Sequence, residues 1–279
     1  MSLLHRAAAL LVPAVLVVAA GCSSADSADD SDTAPEPSPR ASATSAPPAP
    51  AAPAVGSCHD LTVAQATDPV DPGGEVPCAR PHTSVTFKVG EIAPVVDGHL
   101  LAIDSESVRT QIADSCPDSP GAFVGGDRTT QRLSRFEVVW FSPSLEDADA
   151  GANWYRCDVV ALRSEGNLLP LPRRLKGVLD QEGALDRFGT CGTAAPDKRG
   201  FARVACSERH SWRAVDVVDL PADARYLAKD VAAQGDSTCK DVAAERADGA
   251  LQYTWSFEWP TRAQWSTGQR YGYCWVPES

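Results

Sequence analysis

Two motifs put a thiol and an imidazole four residues apart, Cys78-Ala-Arg-Pro-His82 and Cys206-Ser-Glu-Arg-His210. Both groups are zinc ligands, so each pair reads first as half of a tetrahedral site. Only one histidine recurs at an equivalent place in each copy, and the cysteines that would complete four ligands are better used as bridges in an exported chain. The expectation is therefore no metal and no cofactor, with His82 and His210 each leading into a strand. Gly235-Asp-Ser237 has the look of a serine-protease nucleophile, but Thr238-Cys239 follows where a glycine is wanted. The nucleophile elbow, the His-Glu-x-x-His helix, the phosphate loop and the dinucleotide fingerprint are missing. Acidic pairs such as Glu146-Asp147 solvate a surface more often than they form a glycosidase dyad. The chain reads as a non-enzymatic protein with no catalytic residues.

The remaining chemistry is aromatic. Trp255, Trp259, Trp265, Tyr271, Tyr273 and Trp275 crowd the C-terminal end. Alternation through Tyr253, Trp255, Phe257 and Trp259 predicts one core-facing strand face, and Tyr271 and Tyr273 share a face of the next strand. Trp265 and Trp275 are left over and read as core residues, with stacking on a sugar or a partner strand as the alternative.

The elements that carry these residues come in two copies. From residue 56 the cysteines fall at 58, 78, 116 and 157, then at 191, 206, 239 and 274, a short-long-long rhythm repeated. Each motif histidine leads into a strand-like run, Thr83 to Ile92 and Ser211 to Leu220. Pro143 and Pro260 lie equally far before Cys157 and Cys274, as do Gly151 and Gly268. The fold class expected is α+β, two homologous disulfide-stapled domains, each a small antiparallel sheet with a helix. Their bounds are 56–167 and 178–279, joined by a Pro- and Arg-rich linker at 168–177. Val108, Ile112 and Cys116 mark the first helix; Leu227 and Val231 mark the second, with Pro221 as its start. Bridges confined to one copy leave three pairings each. The pairing expected joins Cys58 with Cys78, Cys116 with Cys157, Cys191 with Cys206 and Cys239 with Cys274.

Residues 1–21 read as a lipoprotein signal peptide. Arg6 precedes an apolar stretch from Ala7 to Ala20, too short for the roughly 20 residues that a membrane span needs. Ala19-Ala20-Gly21-Cys22 resembles a bacterial lipobox, which implies lipidation of Cys22. With Cys22 lipidated, residues 22–55 carry the anchor and an Ala/Pro/Ser tether without an aromatic residue, too poor in apolar surface to fold. The location expected is the outer face of the cell membrane. The whole chain of 279 residues has a net charge of -12, which argues against nucleic acid as the partner.

The segment Pro260-Thr-Arg-Ala-Gln-Trp265-Ser-Thr-Gly268-Gln-Arg270-Tyr-Gly-Tyr-Cys274 resembles the Pro, Trp-x-x-Gly-x-Arg, Cys ending of the actinobacterial septum-formation domain, and Cys78-Ala-Arg-Pro-His82 resembles its internal Cys-x-x-Pro-His. Each copy reads as one such domain. The first departs at Ala148 and Asn153, which stand where Trp265 and Arg270 align; the second departs at Arg209. The resemblance implies a membrane-tethered, non-enzymatic envelope protein of cell division that binds a protein or cell-wall component. His82, His210, Trp265, Arg270 and Tyr271 are its candidate contact residues. A receptor that takes a small molecule or glycan between the copies is the alternative.

Overall fold

The structure is a computed structural model that describes residues 48–117 and 119–278. The expected signal peptide, Cys22 and most of the expected tether lie outside the described residues. Among the described residues no helix is long and apolar enough to cross a membrane.

The first half runs through β1 (Cys58–His59), β2 (Ser84–Glu91), α1 (Glu106–Ser115), α2 (Arg128–Leu133), β3 (Phe136–Phe141), α3 (Leu145–Asp149) and β4 (Trp154–Ser164). The second runs through β5 (Thr190–Gly192), β6 (Arg203–Ala205), β7 (Trp212–Asp219), α4 (Lys229–Arg246), β8 (Ser256–Glu258), α5 (Arg262–Ser266) and β9 (Tyr271–Pro277). The first sheet is ordered β1-β2-β4-β3, with Asn167–Leu168 paired to β4. The second is β5-β7-β9-β8, with β6 outside β5. All pairings are antiparallel. The mixed α and antiparallel β character is as the sequence suggests, and the two sheets share one strand order.

The two halves agree in register as well. Thr86 faces Asp158 and Lys88 faces Cys157, so β2 bulges at Phe87. Ala214 faces Trp275 and Asp216 faces Cys274, so β7 bulges at Val215. The bridges are Cys58–Cys78, Cys116–Cys157, Cys191–Cys206 and Cys239–Cys274. In each half one bridge ties the long helix to the strand after the bulge, and each such constraint contributes about 2–4 kcal/mol by restricting the unfolded chain.

Three expectations change. The second helix starts at Lys229, not at Pro221; Leu227 is 53% exposed and has a left-handed backbone (φ 58°), which breaks the helical path just before it. The segment 168–177 is not a loose linker. Leu169, Leu171 and Leu175 are buried with Val178, Leu179 and Phe188 of the second half and Val85, Phe136 and Val159 of the first. The described residues, 48–117 and 119–278, belong to one compact unit around that shared core. The aromatic run 253–259 is also no single strand face, since only Ser256–Glu258 is a strand. Trp255 donates to Asp236, Phe257 fills the space left by Gly235 and Gly272, and Trp259 stacks on Trp265 at 5.4 Å. Gly235 therefore belongs to a helix face, where any Cβ would fall 2.4 Å from the Phe257 ring. Trp275 takes the core place that the sequence favoured: it is fully buried, and its indole meets Phe201 edge-on and donates to Glu258.

The two sheets fill equivalent places with opposite chemistry. Matched through their bulges, Trp154, Arg156 and Asp158 of β4 stand where Tyr271, Tyr273 and Trp275 stand in β9. Ser84 and Thr86 of β2 likewise match Trp212 and Ala214 of β7. The second half closes on an indole, and the first closes on ions. Arg156 donates to Asp71 at 2.7 Å and lies 3.2 Å from Asp158, which accepts from Ser84 and Thr86 at 2.8 Å each. His59 approaches Asp71 at 2.8 Å.

Candidate groove between the halves

Helix α2 and the loop before β9 face each other across a groove of about 510 Å³. Asp127 caps α2 by accepting from the Thr130 amide. This cap sets Arg128 and Arg132 one turn apart, on one side of the helix. Arg132 lies over the Tyr271 ring at 4.3 Å and pairs with Asp219 at 2.6 Å. The Tyr273 hydroxyl donates to the Arg132 carbonyl across the groove floor.

Arg270 enters from the opposite wall. The capping box Thr261/Gln264 starts α5, and Gly268 turns the chain with φ 100°, open to glycine but strained for other residues. Arg270 then folds back over Trp265, 4.0 Å above the ring, and donates to the Trp265 carbonyl at 2.7 Å. The Trp-x-x-Gly-x-Arg motif is thus a clamp: helix end, turn, and a cation seated on the indole. Trp265 in turn stacks on Trp259, and Tyr226, with Arg262 over it, closes the far side.

Arg128, Arg132 and Arg270 all line the groove, and among the described residues Glu137 is its only acidic side chain. Behind the lining, burial and the neighbouring Arg203 both push the pKa of Arg135 down from the usual arginine value. In a chain with a net charge of -12 this groove is a local concentration of positive charge. Guanidinium groups on rigid elements are suited to carboxylate or phosphate oxygens.

Of the candidate contact residues, the structure brings Arg270 and Tyr271 into the groove, with Trp265 behind Arg270. The two histidines serve elsewhere. His82 is 1% exposed, bonds through Nδ1 to the Arg80 carbonyl and accepts the Leu171 amide, so it cannot meet a partner. His210 repeats the local bond to the Glu208 carbonyl and lies 3.4 Å from Glu278. Cys-x-x-x-His is therefore a turn closed by its histidine. Cys191, His210 and Glu278 come close together, but the Cys191 sulfur is bridged to Cys206 and offers no thiolate. Arg128 and Arg132 were not among the expected residues, although two like charges one turn apart on a short polar helix are a legible signal.

A family model described as septum formation matches residues 55–274. The chain belongs to the septum-formation family. One match spans both halves, and the clamp residues Trp265, Gly268 and Arg270 lie inside it. No curated protein and no solved structure matches the chain. The family's description suggests a role in cell division.

Proposed function

We propose that this septum-formation protein is a non-enzymatic envelope lipoprotein, anchored through Cys22 on the outer face of the cell membrane. It docks an anionic group of a protein or cell-wall component in the groove between its halves. The observation that carries this reading is the convergence of Arg128, Arg132 and Arg270 on one groove of an otherwise acidic chain. The alanine- and proline-rich tether after Cys22 would hold the groove away from the membrane.

The test images fluorescent fusions of the full chain in dividing cells of the parent organism. Midcell enrichment is expected for the wild type and loss of enrichment for Arg128→Ala with Arg132→Ala, at unchanged protein level. Cys22→Ala should release the protein from the membrane fraction. A uniform envelope signal for the wild type, or enrichment that survives the double substitution, overturns the reading.

A further inference from the structure

A second cavity, of about 490 Å³, opens over the ionic core of the first half. Its floor is His59, Asp71 and Arg156, each with a side chain at least nine-tenths buried. Burial alone would raise the Asp71 pKa, but hydrogen bonds from His59, Arg156 and the Gly73 amide outweigh it and hold the carboxylate ionised. The fold does not require such a floor, because the places of His59 and Arg156 hold Gly192 and Tyr273 in the second half. Buried ion networks cost desolvation that an apolar filling avoids.

The rim differs in the same way. Cys58 bridges to Val76 as Cys191 faces Val204, so Glu75 takes the place of Arg203. Phe141 takes the place of Glu258, since they face Arg156 and Tyr273 respectively. In the second half Arg203 and Glu258 neutralise each other at 2.7 Å. In the first half Glu75 and Asp147 both line the cavity with no cationic partner within 4.0 Å among the described residues, Asp147 accepting only from the Ser144 hydroxyl at 2.7 Å. Arg156 is engaged by Asp71 and Asp158. The walls are Trp154, Pro143, Val70 and the extended run Ala51–Ala54.

We propose that the first half binds a small organic ammonium ion in this cavity. The ammonium takes the place of the missing counter-ion between Glu75 and Asp147, and its hydrocarbon body lies against Trp154 and Pro143. The mutual contacts of His59, Asp71 and Arg156 hold the floor of the cavity rigid. Ser57 Oγ, His59 and Asp71 fall in the order of an acyl-transfer triad, with His59 Nε2 3.2 Å from the hydroxyl. Ser57, however, is 4% exposed, does not line the cavity and donates to Thr86, so this arrangement orients the imidazole and is no nucleophile.

The test titrates the nitrogen-15-labelled full chain with cadaverine and follows the Trp154 indole signal, assigned with Trp154→Phe. A lysyl dipeptide blocked at both ends distinguishes an amine carried on a peptide from a free diamine, and diacetylated cadaverine is the uncharged control. A saturable shift is expected, weakened by salt and at least about tenfold by Glu75→Gln or Asp147→Asn, with thermal melting unchanged. Glu165→Gln should have no effect. The proposal is overturned if no saturable shift occurs up to about 10 mM of either amine, if the diacetylated control shifts the signal equally, or if Glu75→Gln binds as the wild type does. This site is separate from the groove, so its failure leaves the groove reading standing.

Discussion

Asp71 and Asp158 flank one guanidinium yet respond to pH in opposite senses. The Asp71 pKa is depressed despite burial, so its stabilisation is present above the ordinary carboxylate value of about 3.9 and is lost as pH falls below it towards the folded value. Burial raises the pKa of Asp158 against Arg156, Thr86 and Ser84, so its ionised form costs stability at neutral pH and protonation in acid removes that cost. Asp71→Asn should lower unfolding free energy by about 3–5 kcal/mol at pH 7, because it leaves Arg156 buried beside a neutral group. The difference from wild type should begin to shrink only below about pH 4 and should largely persist at pH 3, because the folded carboxylate stays ionised well below the usual range. Asp158→Asn should cost less at pH 7, since the amide oxygen still accepts from Ser84 and Thr86. Denaturant titrations at the two pH values read both effects; equal losses for the two variants at pH 7 would refute this account.

At the scale of the element, α2 keeps an unfavourable pair. Like charges one turn apart destabilise a helix by about 0.2–0.5 kcal/mol, and only Arg132 has an acidic partner, Asp219. Arg128→Ala should therefore stabilise the protein slightly while weakening recruitment to the septum, an opposition that melting and imaging together would reveal. Loss of stability with unchanged recruitment would make Arg128 a structural residue. The strands were legible because β2 and β7 carry β-branched runs behind a Cys-x-x-x-His turn, and the bridges because the cysteine rhythm repeats. The start of α4 was not, since Leu227 keeps the apolar period but takes a left-handed backbone that periodicity does not report. The clamp residues Trp265 and Arg270 stood out as a motif. Arg156 and Asp158 did not, although charges on both sides of a cysteine inside an apolar strand were a visible anomaly.

Over the whole molecule, the shared core decides how the halves behave. Phe188 lies against Phe136 at 4.8 Å between ring centroids, across the expected domain boundary. Phe188→Ala should cost about 3–5 kcal/mol and lower the stability of both halves together in a single urea transition. Residues 178–279 expressed alone would expose Val178, Leu179 and Phe188 and should show no cooperative unfolding by circular dichroism. A stable isolated half would restore the picture of two independent domains drawn from the cysteine rhythm, which records strand order but is blind to side chains that cross the joint.

The unequal filling of the two sheets also gives the chain a built-in spectroscopic reporter. Five of the seven tryptophans, at 212, 255, 259, 265 and 275, belong to the second half. Intrinsic emission is thus weighted towards that half, whereas amide absorption samples the whole backbone. Emission and dichroism curves that superimpose would mean that the half lit by indoles and the half held by ions come apart as one.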